Sequence, residues 1–131
     1  MIKKTITYTD YEGNERSKEC RFHLSKADLM EMEFDTEGGM QNRINRIVEE
    51  EDVRGLAELI KTIILKSYGE LSDDGTQFVK FKNGKRLSDD FQQTEAFSEL
   101  YLELNTNEDA LTGFINGVIP VNLRQEIEAR G

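Results

Sequence analysis

The sequence predicts an α+β fold that is predominantly α-helical, with an N-terminal β-hairpin followed by four to five helices. Apolar and polar side chains alternate over residues 2–9 and again over 19–24, which is typical of half-buried strands. From residue 25 onward apolar residues recur at helical spacing, most clearly between Val53 and Tyr68. A length of 131 residues suits one domain, which we place at residues 1–120, and we expect 121–131 to form a tail that frays or adds a short helix.

The chain is acidic, with 26 Asp and Glu against 17 Lys and Arg and a formal net charge of -9. This charge repels phosphate backbones and anionic lipid headgroups, so we expect neither nucleic acid nor a membrane as a partner. Cys20 is the only cysteine, which excludes an internal disulfide, and no signal peptide or apolar run of transmembrane length appears. These features indicate a reducing cytoplasm.

The hairpin is predicted from two alternating runs joined by a turn at residues 11–15 (YEGNE). In the first run, one face carries the residues Ile2, Lys4, Ile6 and Tyr8. In the second run, the residues Cys20, Phe22 and Leu24 share a face. We expect these two faces to pack against the helices.

Ser25 is predicted to cap the first helix, because Asp28 follows at the spacing of a capping box. This helix should run from Lys26 to about Phe34. Its apolar side chains divide between two sides, with Ala27, Met30 and Phe34 on one and Leu29 and Met32 on the other. Either both sides are buried within the domain, or a partner covers the outward side.

Four further elements follow. Helical patterns span residues 40–50, 53–68, 89–105 and about 108–118. We expect Gly69 to end the long central helix, Ser88 to cap the next one, and Pro120 to end the last. In the last helix, Gly113 and Gly117 lie opposite the apolar stripe and would allow another backbone to approach closely. Residues 77–82 (QFVKFK) could form a short third strand, followed by a turn at Asn83-Gly84.

The sequence contains few residues that could support chemistry. The only histidine and cysteine, His23 and Cys20, fall on opposite faces of one predicted strand, so we expect a packed cysteine and a solvent-facing histidine. The pairs Asp73-Asp74 and Asp89-Asp90 fit turns and helix caps, because they lack the ligand spacing of a calcium loop. We therefore predict no catalytic, metal or cofactor site. One basic cluster is either a solvated loop or a contact to an acidic partner, and it comprises Lys80, Lys82, Lys85 and Arg86.

Four stretches resemble a known family. They are residues 22–33 (FHLSKADLMEME), 65–75 (LKSYGELSDDG) with Phe78, 91–100 (FQQTEAFSEL) and 114–120 (FINGVIP). Each is similar to segments of the tail assembly chaperones of long, non-contractile-tailed bacteriophages of Gram-positive hosts and their prophages. The resemblance implies a non-enzymatic protein that binds the tape measure protein and helps to recruit major tail protein subunits. It also implies action in the host bacterial cytoplasm, absence from the mature virion, and in many relatives a longer form made by ribosomal frameshifting.

Apolar side chains left outside the core are the expected partner-binding residues. On the first helix we select Leu29, Met32 and Phe34 as outward-facing, with Met30 as a residue that could turn either way. In the C-terminal segment we select Leu123 and Ile127. The chain could also form a homo-oligomer. The alternative function is another small acidic phage protein, either a head–tail connector component or an inhibitor that mimics DNA, although most acids here serve caps and turns or alternate with Lys and Arg.

Overall fold

The computed structural model describes residues 1–119. The strands are β1 (Ile2–Thr9), β2 (Glu15–Phe22), β3 (Tyr68–Leu71), β4 (Phe78–Val79), β5 (Phe81–Lys82) and β6 (Lys85–Arg86). The helices are α1 (Lys26–Asp35), α2 (Met40–Glu49), α3 (Val53–Ser67), α4 (Leu87–Gln92), α5 (Glu95–Thr106) and α6 (Glu108–Val118). The predicted helix-rich α+β class is confirmed. The predicted tail, with Leu123 and Ile127, lies outside the described residues.

The N-terminal hairpin has the predicted form. Strands β1 and β2 pair antiparallel without interruption, from Ile2 opposite Phe22 to Thr9 opposite Glu15. The Asp10 carboxylate closes the turn, because it accepts hydrogen bonds from the backbone N–H groups of Glu12 and Asn14 at 3.0 and 2.9 Å. The even-numbered residues of β1 face the helices, as the alternation predicted.

The hairpin belongs to a larger antiparallel sheet with the order β1-β2-β3-β4. Strand β3 was not predicted, since Tyr68 was assigned to the central helix and Gly69 to its cap. The helix ends at Ser67 instead, and Tyr68 already has an extended backbone. A Cβ on Gly69 would lie 2.6 Å from Phe78 Cε2 and 2.7 Å from the carbonyl oxygen of Val79. Gly69 follows the C-cap residue Tyr68 of α3, as predicted, but its φ angle is not positive, and it is required there for the close approach of β4.

The possible third strand at 77–82 is present as two short strands. Strand β4 joins the main sheet through β3, and β5 pairs with β6 in a separate hairpin. Both loop residues of that hairpin, Asn83 and Gly84, have positive φ angles of 54° and 75°. A two-residue type I′ turn requires such angles, and Asn-Gly is the sequence that adopts them most readily.

The helix predicted over residues 89–105 is two helices, α4 and α5, separated at Gln93 and Thr94. The Thr94 side chain caps α5 by accepting from the Phe97 N–H at 3.4 Å, and the expected cap, Ser88, is buried within α4. The break allows Phe91 and Phe97, on different helices, to meet edge to face at 6.0 Å inside the core.

The core lies between the inner face of the sheet and helices α3 to α6, with Phe22 at its centre. The Phe22 ring contacts Tyr68, Phe91 and Phe114 edge to face, at centroid distances of 5.7, 6.0 and 5.1 Å. Around these rings pack the buried side chains Ile60, Ile64, Leu100, Leu104 and Val118. The apolar stripe of α3 is thereby explained by burial from Leu59 to Ile64.

Helix α6 closes the core against β1. A Cβ on Gly117 would lie 2.8 Å from Ile2 Cδ1, whereas a Cβ on Gly113 would meet no atom within 4 Å. A close approach is therefore found at Gly117, although it is the Ile2 side chain and not the expected backbone that approaches, and the prediction is wrong at Gly113.

Candidate partner-binding surface

Helix α1 begins at a complete capping box. The Asp28 N–H donates to Ser25 Oγ at 3.0 Å, and the Ser25 N–H donates to Asp28 Oδ2 at 2.8 Å. The two bonds satisfy backbone donors that a helix leaves unpaired at its first turn. They fix where α1 starts, as the sequence predicted.

Lys80, between β4 and β5, holds α1 against the sheet. Its ammonium donates to Asp28 Oδ2 at 2.7 Å and to the carbonyl oxygen of Lys66 at 2.6 Å. Burial opposes ionisation of the Asp28 carboxyl, but hydrogen bonds from Lys80 and Ser25 outweigh it and hold its pKa below the ordinary value. Asp28 therefore stays charged and paired at neutral pH.

This attachment determines which side of α1 is buried. Met32 is 5% exposed, and Leu29 is half-buried against the core. By contrast, Met30 is 62% and Phe34 79% exposed. The prediction that Leu29 and Met32 face outward is wrong, because the side of α1 that carries them packs on the core. Phe34 does face solvent, and Met30 joins it there.

Helix α2 also leaves apolar side chains in solvent. Its N-terminus is capped from α1, since the Met40 N–H donates to Glu33 Oε2 at 3.0 Å. The helix packs against α3 but buries none of its residues fully. Ile44 and Val48, which are four residues apart in the predicted helical pattern over 40–50, are exposed.

The N-terminal part of α3 extends beyond the core. Val53 and Leu56 fall in the same helical sector as the buried residues Ile60 and Ile64, yet both are exposed. Together with the exposed residues of α1 and α2, they provide six of the twelve large apolar side chains exposed within residues 1–119. We call these six the α1–α3 apolar set: Met30, Phe34, Ile44, Val48, Val53 and Leu56.

A family model described as phage tail assembly chaperone matches residues 1–130. The chain belongs to the phage tail assembly chaperone family. No curated protein and no solved structure matches it. The family assigns the chaperone to phage tail assembly and, in general terms, to partners among phage tail proteins, so the resemblance found in the sequence is confirmed.

Four members of the apolar set were not selected as binding candidates from the chaperone's sequence. Ile44 and Val48 formed part of a regular helical stripe, and Val53 and Leu56 continued the stripe of the core helix. An apolar stripe is the normal signature of burial, so the pattern gave no sign that these helices project beyond the core. The only available signal was the short, mostly charged run at residues 49–54, which separates the two apolar stripes.

Within residues 1–119 of the chaperone, no group of three or more His, Cys, Asp or Glu side chains is placed to hold a metal ion. Cys20 is buried, and burial raises the pKa of its thiol to about 11. His23 is half-buried rather than solvent-facing as predicted, because its ring packs edge-on against Phe78 at 6.0 Å. In the same residue range no helix is long and apolar enough to cross a membrane.

The basic cluster is largely neutralised by the chaperone's own acids. Besides the pair of Lys80 with Asp28, Lys82 lies 3.1 Å from Glu70 and Lys85 lies 3.3 Å from Asp90. The Arg86 guanidinium lies 5.0 Å from the centroid of the Phe81 ring. The ion pairs weaken the attraction of this hairpin for an external anion.

Proposed function

We propose that the chaperone binds the tape measure protein through the α1–α3 apolar set and keeps it soluble while major tail protein subunits assemble around it. The observation that supports this is the exposure of six large apolar side chains on three consecutive helices. Exposed apolar surface on a soluble protein can mark a protein–protein interaction site. The proposed role is binding without catalysis.

The chemistry of the set suits a helical client. Val53 and Leu56 extend the apolar stripe of α3 beyond the core, so a client helix could pack there much as a core helix packs elsewhere. Met30 has a flexible thioether side chain that adapts to different apolar surfaces. Each Å² of apolar surface removed from water contributes roughly 25 cal/mol.

The acidic surface suits the same role. A formal net charge of -9 keeps a complex soluble even after an apolar client has been bound. We include the C-terminal segment around Leu123 and Ile127 in the proposed client contact, because its sequence is weakly amphipathic through these two residues. As an assembly factor, the chaperone would act in the host bacterial cytoplasm and would be absent from the mature virion.

The test is co-expression of the full chaperone with the tape measure protein, followed by affinity purification at physiological salt. The wild-type chaperone should increase the soluble yield of the tape measure protein and co-purify with it. The double variant Met30→Glu/Phe34→Glu should lose most of the complex while keeping its thermal midpoint, since both side chains are exposed.

Phe81→Glu is the matched control, because Phe81 on β5 is 60% exposed, close to the 62% of Met30, and lies outside the α1–α3 apolar set. This variant should bind the tape measure protein as the wild type does. The proposal is wrong if the wild type fails to associate with a folded tape measure protein, or if the double variant binds equally well.

A further inference from the structure

Strand β1 is an edge strand with one open side. Within residues 1–119 it pairs only with β2, although it is eight residues long. Every second residue of such a strand directs its N–H and C=O groups away from its partner, where they can pair with another chain. Proteins often protect an edge with proline, a bulge or charge. The first half of β1 carries the charges of Lys3 and Lys4, whereas Thr5–Tyr8 has no proline or charge and its register with β2 is regular.

Helix α5 packs on β1 and leaves a groove of about 360 Å³ along this edge. The groove is lined by Lys4, Thr5, Ile6 and Thr7 of β1 and by Glu99, Leu102, Glu103 and Thr106 of α5. Leu102 is largely exposed there, on the flank of α5 that turns away from the buried residues Leu100 and Leu104. The floor is therefore an open strand edge, and one wall is a helix flank with an apolar residue and two carboxylates.

An extended segment fits this shape. A strand added to β1 would lie about 4.8 Å from it in the plane of the sheet, and so would run alongside the exposed flank of α5. Alternate side chains of that segment would face α5, and the others would face solvent. Recognition by edge pairing obtains affinity from backbone hydrogen bonds and specificity from alternate side chains.

We propose that this groove binds an extended, basic segment of another protein, which pairs with β1 as an additional strand. An apolar residue of the segment contacts Leu102, and a Lys or Arg two positions away pairs with Glu99. The two α5 residues are about 4.5 Å apart along the helix axis, within reach of side chains about 7 Å apart on a strand. Glu99 forms no ion pair with residues 1–119, whereas Glu103 is engaged by Lys4 at 3.1 Å.

A second copy of the chain is a poorer occupant of the groove. Symmetric pairing of β1 with its copy would bring two α5 flanks together across the two-fold axis. Glu99 and Glu103 of each copy would then face the same carboxylates of the other, and like charges at an interface disfavour association. The charge of the groove thus favours a basic partner.

This inference does not depend on the proposed function. None of the α1–α3 apolar set lines the groove. The double variant Met30→Glu/Phe34→Glu should lose binding to the tape measure protein but still bind an extended segment in the groove. Conversely, a variant that no longer binds a segment in the groove should still form the complex with the tape measure protein. The two surfaces can therefore fail or succeed separately.

The experiment uses the full, ¹⁵N-labelled chain and a synthetic ten-residue peptide in which valine and arginine alternate at every second position and threonine fills the positions between them, so that valine and arginine share one face. Binding should shift the amide resonances of residues 3–9 and 99–106 and slow hydrogen exchange at every second amide of β1. Two control peptides carry N-methyl groups on alternate residues, in opposite phases. Since only one set of peptide N–H groups can face β1, one control should bind and the other should lose at least about tenfold in affinity.

Variants test the α5 wall. Glu99→Lys should lower the affinity for the arginine peptide by roughly three- to tenfold. It should raise the affinity for a peptide in which glutamate replaces arginine, as expected for reversal of one partly exposed ion pair. Leu102→Ala should lower the affinity for both peptides several-fold. Both variants should keep the wild-type thermal midpoint, because both side chains lie at the surface.

Several results would overturn the proposal. They are the absence of peptide binding, equal binding of both N-methylated peptides, and resonance shifts that map away from β1 and α5. A sedimentation mass of twice 15.1 kDa, with protected outer amides in β1 before any peptide is added, would assign the groove to a second copy instead. Protected outer amides of β1 in a chain that sediments as a monomer would show that another part of this chain occupies the groove.

Discussion

The ammonium of Lys80 lies 2.7 Å from a carboxylate oxygen of Asp28, a residue 52 positions earlier in the chain. The same carboxylate completes the capping box of α1, and the same ammonium reaches the last turn of α3. One ion pair therefore joins two helices and the strand region, and it presents Met30 and Phe34 to solvent.

Replacement of Lys80 by Met should lower the free energy of unfolding by about 1–3 kcal/mol, because it leaves the Asp28 carboxylate partly buried without its cationic partner. Urea denaturation measures the change. Lys82→Met is the control, since its pair with Glu70 is well exposed and should contribute less than about 0.5 kcal/mol. Equal losses in the two variants would contradict the special role of Lys80.

The pH dependence of stability should include a contribution from His23. Burial, followed by nearby positive charge, lowers the pKa of this side chain below 6.5. The unfolded chain then binds a proton more readily than the folded chain, so the stabilising contribution is full above pH 6.5 and is lost as pH falls through the folded pKa. His23 is the only histidine, and carboxylates with ordinary pKa values titrate mainly below pH 5.

Denaturant midpoints measured at intervals between pH 7.5 and 5 would test this prediction. The wild type should lose stability over that range, and His23→Gln should show a flatter profile. A wild-type stability that rises on acidification would contradict the assigned direction of the pKa shift.

Two glycines of α6 should respond in opposite ways to alanine. Gly113→Ala should raise stability by up to about 1 kcal/mol, because helix propensity improves and the new methyl group meets no atom. Gly117→Ala should lower it by about 1–3 kcal/mol, because the methyl group would overlap Ile2. Thermal unfolding by circular dichroism distinguishes them, and a stabilised Gly117→Ala would show that Ile2 moves aside freely.

Truncation of the two neighbouring methionine positions on α1 should separate the core from the surface. Met32→Ala should destabilise the chaperone by about 2–5 kcal/mol, because it removes a buried side chain and leaves a cavity. Met30→Ala should change stability by less than about 0.5 kcal/mol. Calorimetry gives both values, and similar effects would mean that α1 is not held in the orientation described.

Elements with local signals were predictable from the sequence. Ser25 and Asp28 mark the start of α1 by side chains that bond to the nearby backbone, and the alternating residues of the hairpin mark its inner face. The helix-rich class followed from the same periodic patterns. In each case the determining interaction lies within a few residues of the signal.

Elements fixed by distant contacts were not predictable. Tyr68–Leu71 is a strand because β2 and β4 pair with it on either side, and nothing in its own four residues requires an extended backbone. The break at Thr94 likewise reflects the packing of Phe91 and Phe97 within the core.

The candidate partner-binding surface also combines features that local sequence signals predict with features that distant contacts determine. Periodicity revealed that α1 has two apolar sides, but the choice between Met30 and Met32 depends on how the helix docks on the core. The Lys80 pair that contributes to this docking comes 52 residues later. The exposure of Val53 and Leu56 similarly depends on where the neighbouring elements end.

The first strand of the chain and the residues that follow the hairpin contact the last elements described. Lys4 pairs with Glu103, Ile2 packs against Gly117, and the Leu24 N–H donates to the Val118 carbonyl oxygen at 2.8 Å. A ribosome adding about 5–20 residues per second needs roughly 5–20 s to make the hundred residues between them. During synthesis the apolar face of the nascent hairpin therefore remains uncovered, so this assembly factor is itself most prone to aggregate before α6 has been translated.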